Sequence, residues 1–255
     1  MERITSRKNP LMEHLRRLDG AAYRRKSGDF LCDSPKLVEE AVRHGVTVTC
    51  VVVSEGVAFP EGLGEDVRRV VVPPEVMASV SPLKTPQGMV AVCKLPEADV
   101  PETLAQGRYI VLDGVQDPGN VGTVLRSADA FRCTGAVLLS GCADLYSVKT
   151  LRASMGAVFR LPVYTMDAST LRRLLTAAGL PLYGAALRED TVDVRCRDLR
   201  RCAIAVGSEG RGLSDEVLSL CDETLRIPMA PQCESLNAAA AAAVLLWEAY
   251  RTEEG

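Results

Sequence analysis

Apolar and polar positions along this chain follow two spacings. Leu11, Leu15 and Leu18 recur at helical intervals with charges between them, which predicts an amphipathic helix with a solvated face. Pro35 to His44 reads as a second helix ended by Gly45, where His44 places a favourable cation at the helix C-terminus. The β-branched runs Val48–Val53 and Val70–Val72 and the apolar run Met89–Val92 read as strands. Helix and strand therefore alternate in a small α/β domain over residues 1–97. Residues 94–107 carry two prolines, four charges and little periodicity, so a domain boundary falls there, with 98–107 as the linker.

From residue 108 to 255 the alternation becomes regular. Strands are predicted at Tyr109–Asp113, Ala136–Leu139, Pro162–Thr165, Leu182–Ala186, Ala203–Val206 and Thr224–Ile227. Helices are predicted at Asn120–Phe131, Val148–Ala153, Ala168–Ala177 and Ser214–Leu220, with a long one from Ser235. Such a series predicts a mostly parallel sheet covered on both faces.

Composition narrows the picture. The 255 residues include 30 Lys and Arg against 33 Asp and Glu, a net charge of −3, which gives no global attraction to polyanions. Residues 1–26 nevertheless hold eight basic and three acidic residues, either a solvated helix face or an arm that contacts phosphates. Nine cysteines without a C-x-x-C pair, behind an N-terminus with no apolar signal core, predict reduced thiols in the cytoplasm. The longest apolar stretch, Ala238 to Trp247, is about half a bilayer span, so no membrane segment is expected. Two histidines, His14 and His44, argue against a His-based triad or a zinc site, and no metal is expected.

In parallel sheets ligands gather at the carboxyl ends of strands, which selects three loops. The first, Asp113-Gly-Val-Gln-Asp-Pro-Gly-Asn-Val-Gly, leads into a helix that Asn120 is placed to cap. It lacks the spacing of a nucleotide triphosphate loop or a dinucleotide fold, which counts against an NAD enzyme. On the following helix Val121, Val124, Leu125 and Ala128 share one face, and Arg126 points about 150° away. The second loop, Val206-Gly-Ser-Glu-Gly-Arg-Gly-Leu-Ser, contains one acid, Glu209, and a cap at Ser214. The third, Ile227-Pro-Met-Ala-Pro-Gln-Cys-Glu-Ser-Leu-Asn, offers Ser235 as helix cap and leaves Asn237 in the first turn, where capping does not explain it.

The ordered trio Asp117-Pro-Gly-Asn-Val-Gly-x-x-x-Arg126, Gly207-Ser-Glu-Gly-x-Gly and Ile227-Pro-Met…Ser235-Leu-Asn resembles the SpoU/TrmH family of RNA ribose 2′-O-methyltransferases. Ile4-Thr-Ser-Arg-Lys-Asn-Pro, Thr85-Pro-Gln-Gly, Asp144-Leu-Tyr and Arg152-Ala-Ser-Met-Gly extend the likeness over nearly the whole chain. Cys32-Asp-Ser-Pro departs from it where relatives often show an acidic-Gly pair. The resemblance implies an N-terminal α/β RNA-binding domain and a catalytic sheet whose C-terminal segment forms a trefoil knot, an exception to ordinary topology. It implies S-adenosyl-L-methionine at Val206, Gly207, Ser208 and Gly210, at Ile227, Pro228 and Met229, and at Leu236 and Ala238. Asn120, Arg126, Glu209, Ser235 and Asn237 become the catalytic set, in a homodimer that lets the outward Arg126 reach the partner's ligand.

Arg126 is either the base of the family account or, since a guanidinium is a poor base, a phosphate grip that stabilises charge on the ribose oxygen. Glu209 either orients Arg126 or accepts a substrate hydrogen bond. Arg7, Lys8, Arg16, Arg24 and Arg25, with Arg195, Arg197, Arg200 and Arg201, are the candidate phosphate contacts. Aromatic residues at 4 % predict limited base stacking. The two-domain layout favours ribosomal over transfer RNA, with a non-catalytic RNA-binding or ribosome-assembly protein as the alternative from another class.

Overall fold

The computed structural model describes residues 1–83, 85–97, 100–188, 190–230, 232–233 and 235–251. The chain divides into two compact units, residues 1–97 with 144–159, and residues 98–143 with 160–255. The helix Val148–Ser154, which the sequence places in the second domain, thus belongs to the first unit. Residues 98 and 99 of the expected linker lie outside the described residues.

The first unit runs β1 (Glu2–Arg3), α1 (Pro10–Arg17), α2 (Ala21–Ser27), β2 (Asp29–Cys32), α3 (Pro35–Arg43), β3 (Val48–Ser54), β4 (Arg68–Val72), α4 (Pro74–Val80) and β5 (Met89–Lys94). Its sheet has the order β1-β4-β3-β5-β2, parallel from β1 to β3 and antiparallel through β5 to β2. Asn9 caps α1 by accepting from Leu11 N at 2.9 Å, and Pro10 fills the first turn, where a missing N–H costs nothing. Helix α1 buries Met12 and Leu15, with Leu18 just beyond it, each worth about 1.5–3 kcal/mol. Helix α3 is capped by Ser34 and ends at His44, after which Gly45 takes φ +71°. Strand β2 escapes the sequence reading because Asp29, Phe30, Leu31 and Cys32 are all buried and show no alternation. Helix α4 escapes it because Pro73-Pro74 reads as a turn, whereas Pro74 opens the helix.

Arg24 is corrected by the structure. It is 3 % exposed, donates to Leu18 O and Asp19 O at 2.7 Å each, and pairs with Asp144 at 2.6 Å. It holds the first unit together and is not on the surface for RNA.

The second unit contains β6 (Arg108–Asp113), α5 (Pro118–Ala130) and β7 (Gly135–Leu138). Beyond α6 (Val148–Ser154) of the first unit, it continues through β8 (Val163–Thr165), α7 (Ala168–Ala178), β9 (Leu182–Ala185), β10 (Val192–Asp193) and β11 (Cys202–Gly207). It ends with α8 (Asp215–Leu220), β12 (Glu223–Arg226) and α9 (Ala238–Arg251). Seven strands pair in the order β10-β12-β9-β11-β6-β7-β8, and every pairing is parallel. The two-residue β10 carries too little pattern for the sequence to reveal it.

Two helix starts differ from expectation. Asp117, not Asn120, caps α5 by accepting from Asn120 N at 2.8 Å. Helix α9 begins at Ala238 rather than Ser235, and Asn237 Oδ1 accepts from Ala239 N and Ala240 N at 2.9 and 3.2 Å. Capping therefore does explain Asn237. Buried Arg108 donates at 2.9 Å to both Phe131 O and Ala249 O, closing the ends of α5 and α9 together.

Candidate active site

The loop after β11 turns back on itself so tightly that Gly207 has no room for a side chain. A Cβ there would lie 2.0 Å from the Gly212 carbonyl carbon. Ser208 and Gly212 exchange backbone hydrogen bonds at 3.1 and 2.8 Å, with Gly212 at φ +68°. Beside it, at the end of β6, Asp113 accepts from Ser214 N at 2.7 Å, while Ser214 caps α8 through Val217 N. The loop is thus fixed by backbone contacts, which leaves its inner face free.

That face borders a cavity of about 240 Å³. Val206, Gly207 and Ser208 form one side, and Ile227, Met229, Leu236 and Ala238 another, as the resemblance implies. Gly210 and Pro228 are not among its lining residues. A third wall is Ala185–Leu187, at and just beyond the end of β9, together with Arg226. No motif marks that wall, although β9 lies between β11 and β12 and ends at the same edge. Small apolar side chains, bare backbone at Gly207 and the alanines of α9 suit a flat apolar ring bound edge-on to main-chain groups, which fits an adenosine.

Glu209 and Ser235 also line this cavity. Glu209 Oε1 accepts from Asn120 Nδ2, and Asn120 Oδ1 accepts from Asn237 Nδ2 at 3.2 Å. The capping role of Asn237 occupies its own oxygen, so the chain of side chains runs in one direction: Asn237 to Asn120 to Glu209. Loops after three different strands therefore meet in one polar line at the cavity edge. Glu209 Oε2 has no partner among the described residues and is available to accept from a ligand.

Arg126 does not join them. It is exposed on α5, its guanidinium has no partner among the described residues, and it does not line the cavity. Glu209 therefore does not orient it within this chain. Among the other candidates, Arg7, Lys8, Arg16 and Arg25 are exposed in the first unit, with Arg16 donating to Arg7 O at 2.9 Å. Arg195, Arg197 and Arg200 are engaged by Asp193, Glu223 and Asp198 at 2.5–2.6 Å. The hydrogen bonds from Arg195 and Arg200 hold the Asp193 and Asp198 carboxyls down at about 2. These pairs largely cancel the positive charge expected there. Pro231 and Glu234 of the third motif lie outside the described residues.

Residues 107–247 match the SpoU rRNA methylase family, and residues 9–91 match an MRM3-like substrate-binding domain. A 23S rRNA (guanosine(2553)-2′-O)-methyltransferase, RlmP of Bacillus subtilis, is 35 % identical over 97 % of this chain and 98 % of its own. A 23S rRNA (uridine(2479)-2′-O)-methyltransferase of Streptomyces viridochromogenes is 31 % identical over 98 % of this chain and 92 % of its own. The AdoMet-bound rRNA methyltransferase of Sinorhizobium meliloti superimposes with a TM-score of 0.87 at 29 % identity, covering 98 % of each chain.

Proposed function

Because the chain belongs to the SpoU rRNA methylase family, we propose that it methylates a ribose 2′-hydroxyl of ribosomal RNA with S-adenosyl-L-methionine. One observation carries this reading: an apolar cavity built on Gly207 is edged by the Asn237–Asn120–Glu209 line, in a chain similar along its length to 23S rRNA methyltransferases. Val206, Gly207, Ser208, Ile227, Met229, Leu236 and Ala238 would hold the cofactor, which supplies a methyl group on a positively charged sulfur. The ribose oxygen attacks in line, so alignment and exclusion of water matter more than covalent help.

In this mechanism Asn120, Asn237 and Ser235 position the ribose, and Glu209 Oε2 accepts a hydrogen bond from it. Arg126 of one copy would grip the phosphate beside the cavity of a second copy and stabilise charge on the ribose oxygen as its proton passes to Glu209 Oε2, the oxygen–methyl bond forming while the sulfur–methyl bond breaks. Its separation from its own cavity supports a homodimer. So does the exposed stripe Ala240, Val244 and Trp247 at helical spacing along α9, with Trp247 52 % exposed. The match of residues 9–91 supports the N-terminal unit as the RNA-binding part, presenting Arg7, Lys8, Arg16 and Arg25. Residues 98–107 would join it to the catalytic domain, and the insertion of β11 between β6 and β9 is compatible with a C-terminal trefoil knot. Nine free cysteines suit a cytoplasmic enzyme.

Transfer of labelled methyl to separated ribosomal and transfer RNA, followed by mapping of nuclease-resistant dinucleotides, tests the reading. One resistant dinucleotide in ribosomal RNA is the expected product. Label confined to transfer RNA refutes the substrate, and label on a base refutes the chemistry.

A further inference from the structure

The scarcity of aromatic residues conceals a cluster. In the first unit the ring of Phe30, on β2, lies 4.9 Å from that of Tyr146 and 6.2 Å from that of Phe159. These three rings border a second cavity, of about 290 Å³. Phe30 is 1 % exposed and forms the floor, while Tyr146 and Phe159 are half-buried. The mouth is ringed by the exposed residues His44, Thr47, Lys94 and Pro96.

The chemistry of this cavity is mixed in a specific way. Half-buried rings offer apolar faces to a planar ligand. Burial pushes the Tyr146 phenol up to about 12, with Asp144 adding to the rise, so it stays neutral. Its hydroxyl has no hydrogen-bond partner among the described residues and can donate to or accept from a ligand. At the rim Lys94 Nζ lies 2.8 Å from Asp29 and His44 Nε2 lies 3.7 Å from Glu40. Lys94 keeps donors beyond that pair, since an ammonium carries three and its side chain is 49 % exposed. A stacking surface, a hydroxyl seeking a partner and a cation at the mouth match one nucleotide: ring inside, phosphate outside.

We propose that this cavity receives an unpaired base of the RNA substrate, lodged against Tyr146 and Phe159, with the adjoining phosphate drawn to Lys94. The proposal rests on the RNA-methylating role above and adds a base-recognition subsite whose lining lies wholly in the first unit. It also gives the first unit a means of selecting single-stranded or distorted RNA, since a paired base cannot enter.

The test uses the full chain and a 23S rRNA transcript, plain or carrying 4-thiouridine. Tyr146→Ala and Thr47→Glu should each weaken binding of the plain transcript about tenfold, while cofactor affinity measured by calorimetry stays at the parent value. Photocrosslinks of the thiouridine transcript should map to the peptides bearing Tyr146, Phe159 or Thr47. Parent-like binding by both variants, with crosslinks elsewhere, overturns the subsite even if the parent methylates RNA normally. A parent that neither binds nor methylates the transcript overturns the function and the subsite together. Should Tyr146→Ala fail to fold, Thr47→Glu decides alone, because Thr47 is exposed.

Discussion

Arg24 and Arg126 are both helical arginines with apolar neighbours, yet the fold uses them in opposite ways. Arg24, in the first unit, divides its guanidinium among two carbonyls and Asp144 and is closed off from water. Arg126, in the second, stands exposed without a partner among the described residues. The acids show the same contrast. Asp33 has a fully buried side chain facing Arg152 at 3.7 Å, whereas Glu209 lies exposed at the cavity edge. A buried ion whose donors are satisfied internally cannot be offered to a ligand without leaving its partners stranded, at several kcal/mol. An exposed ion held only by its helix can. Arg24 thus serves cohesion, as buried Arg108 does in the second unit, whereas Arg126 and Glu209 are left exposed where a ligand can meet them.

Exchanging the two roles should fail in graded ways. The largest effect is expected at Arg126: Arg126→Lys keeps the charge but loses the fork, and methyl transfer should fall on the order of 100- to 1,000-fold. The melting temperature and cofactor affinity should stay with the parent, and an equally active variant would remove Arg126 from the mechanism. Gly207→Ala comes next, because its Cβ meets the Gly212 backbone, which has no rotamer by which to yield. It should cost about 3 kcal/mol in denaturant melts and abolish cofactor binding in calorimetry.

On the cohesive side, Asp144→Asn leaves the Arg24 charge without its counter-ion. Since Asp144 is 29 % exposed, the expected loss is about 1–2 kcal/mol in denaturant melts. A parent-like melt would instead take the Arg24–Asp144 pair out of the cohesion of the first unit.

The smallest effect concerns Asp33, whose carboxyl burial pushes up against the opposing pull of Arg152. The folded state then keeps a proton that the unfolded chain has already released. Stability contributed by this group is therefore lost as pH rises from the ordinary carboxylate value, about 4, through the raised one. Urea melts of Asp33→Asn across that window should show a flatter pH dependence than the parent, and an unchanged slope would mean that Asp33 ionises freely.

These contrasts were only partly visible in the sequence. The outward direction of Arg126 follows from helical spacing, because Val121, Val124, Leu125 and Ala128 define the buried face within one short segment. The cap at Ser214 and, β10 aside, the strands of the second unit are equally local, and the sequence places them within a residue or so. Arg24 is different: its acceptor Asp144 lies 120 residues onward, and no local pattern announces such a pairing. Asn237 was misread because serine is as good a cap as asparagine. The choice between Ser235 and Asn237 depends on where the alanine helix meets the first turn of α5. The wall Ala185–Leu187 has no motif at all and owes its role to strand order alone.

The return of residues 144–159 to the first unit has a consequence for how this molecule can be cut. The peptide chain passes between the units at 97/98, 143/144 and 159/160. A fragment ending at residue 97 would lack Val148, Leu151 and Val158, which fill its two apolar clusters, and the acid that neutralises Arg24. Such a fragment is a hollowed remnant rather than a portable module, and limited proteolysis after residue 97 should leave its two products associated instead of releasing a soluble N-terminal piece. For this chain, recombination would have to exchange residues 1–97 and 144–159 at once, which ties the inheritance of the first unit to that of the catalytic segment between them.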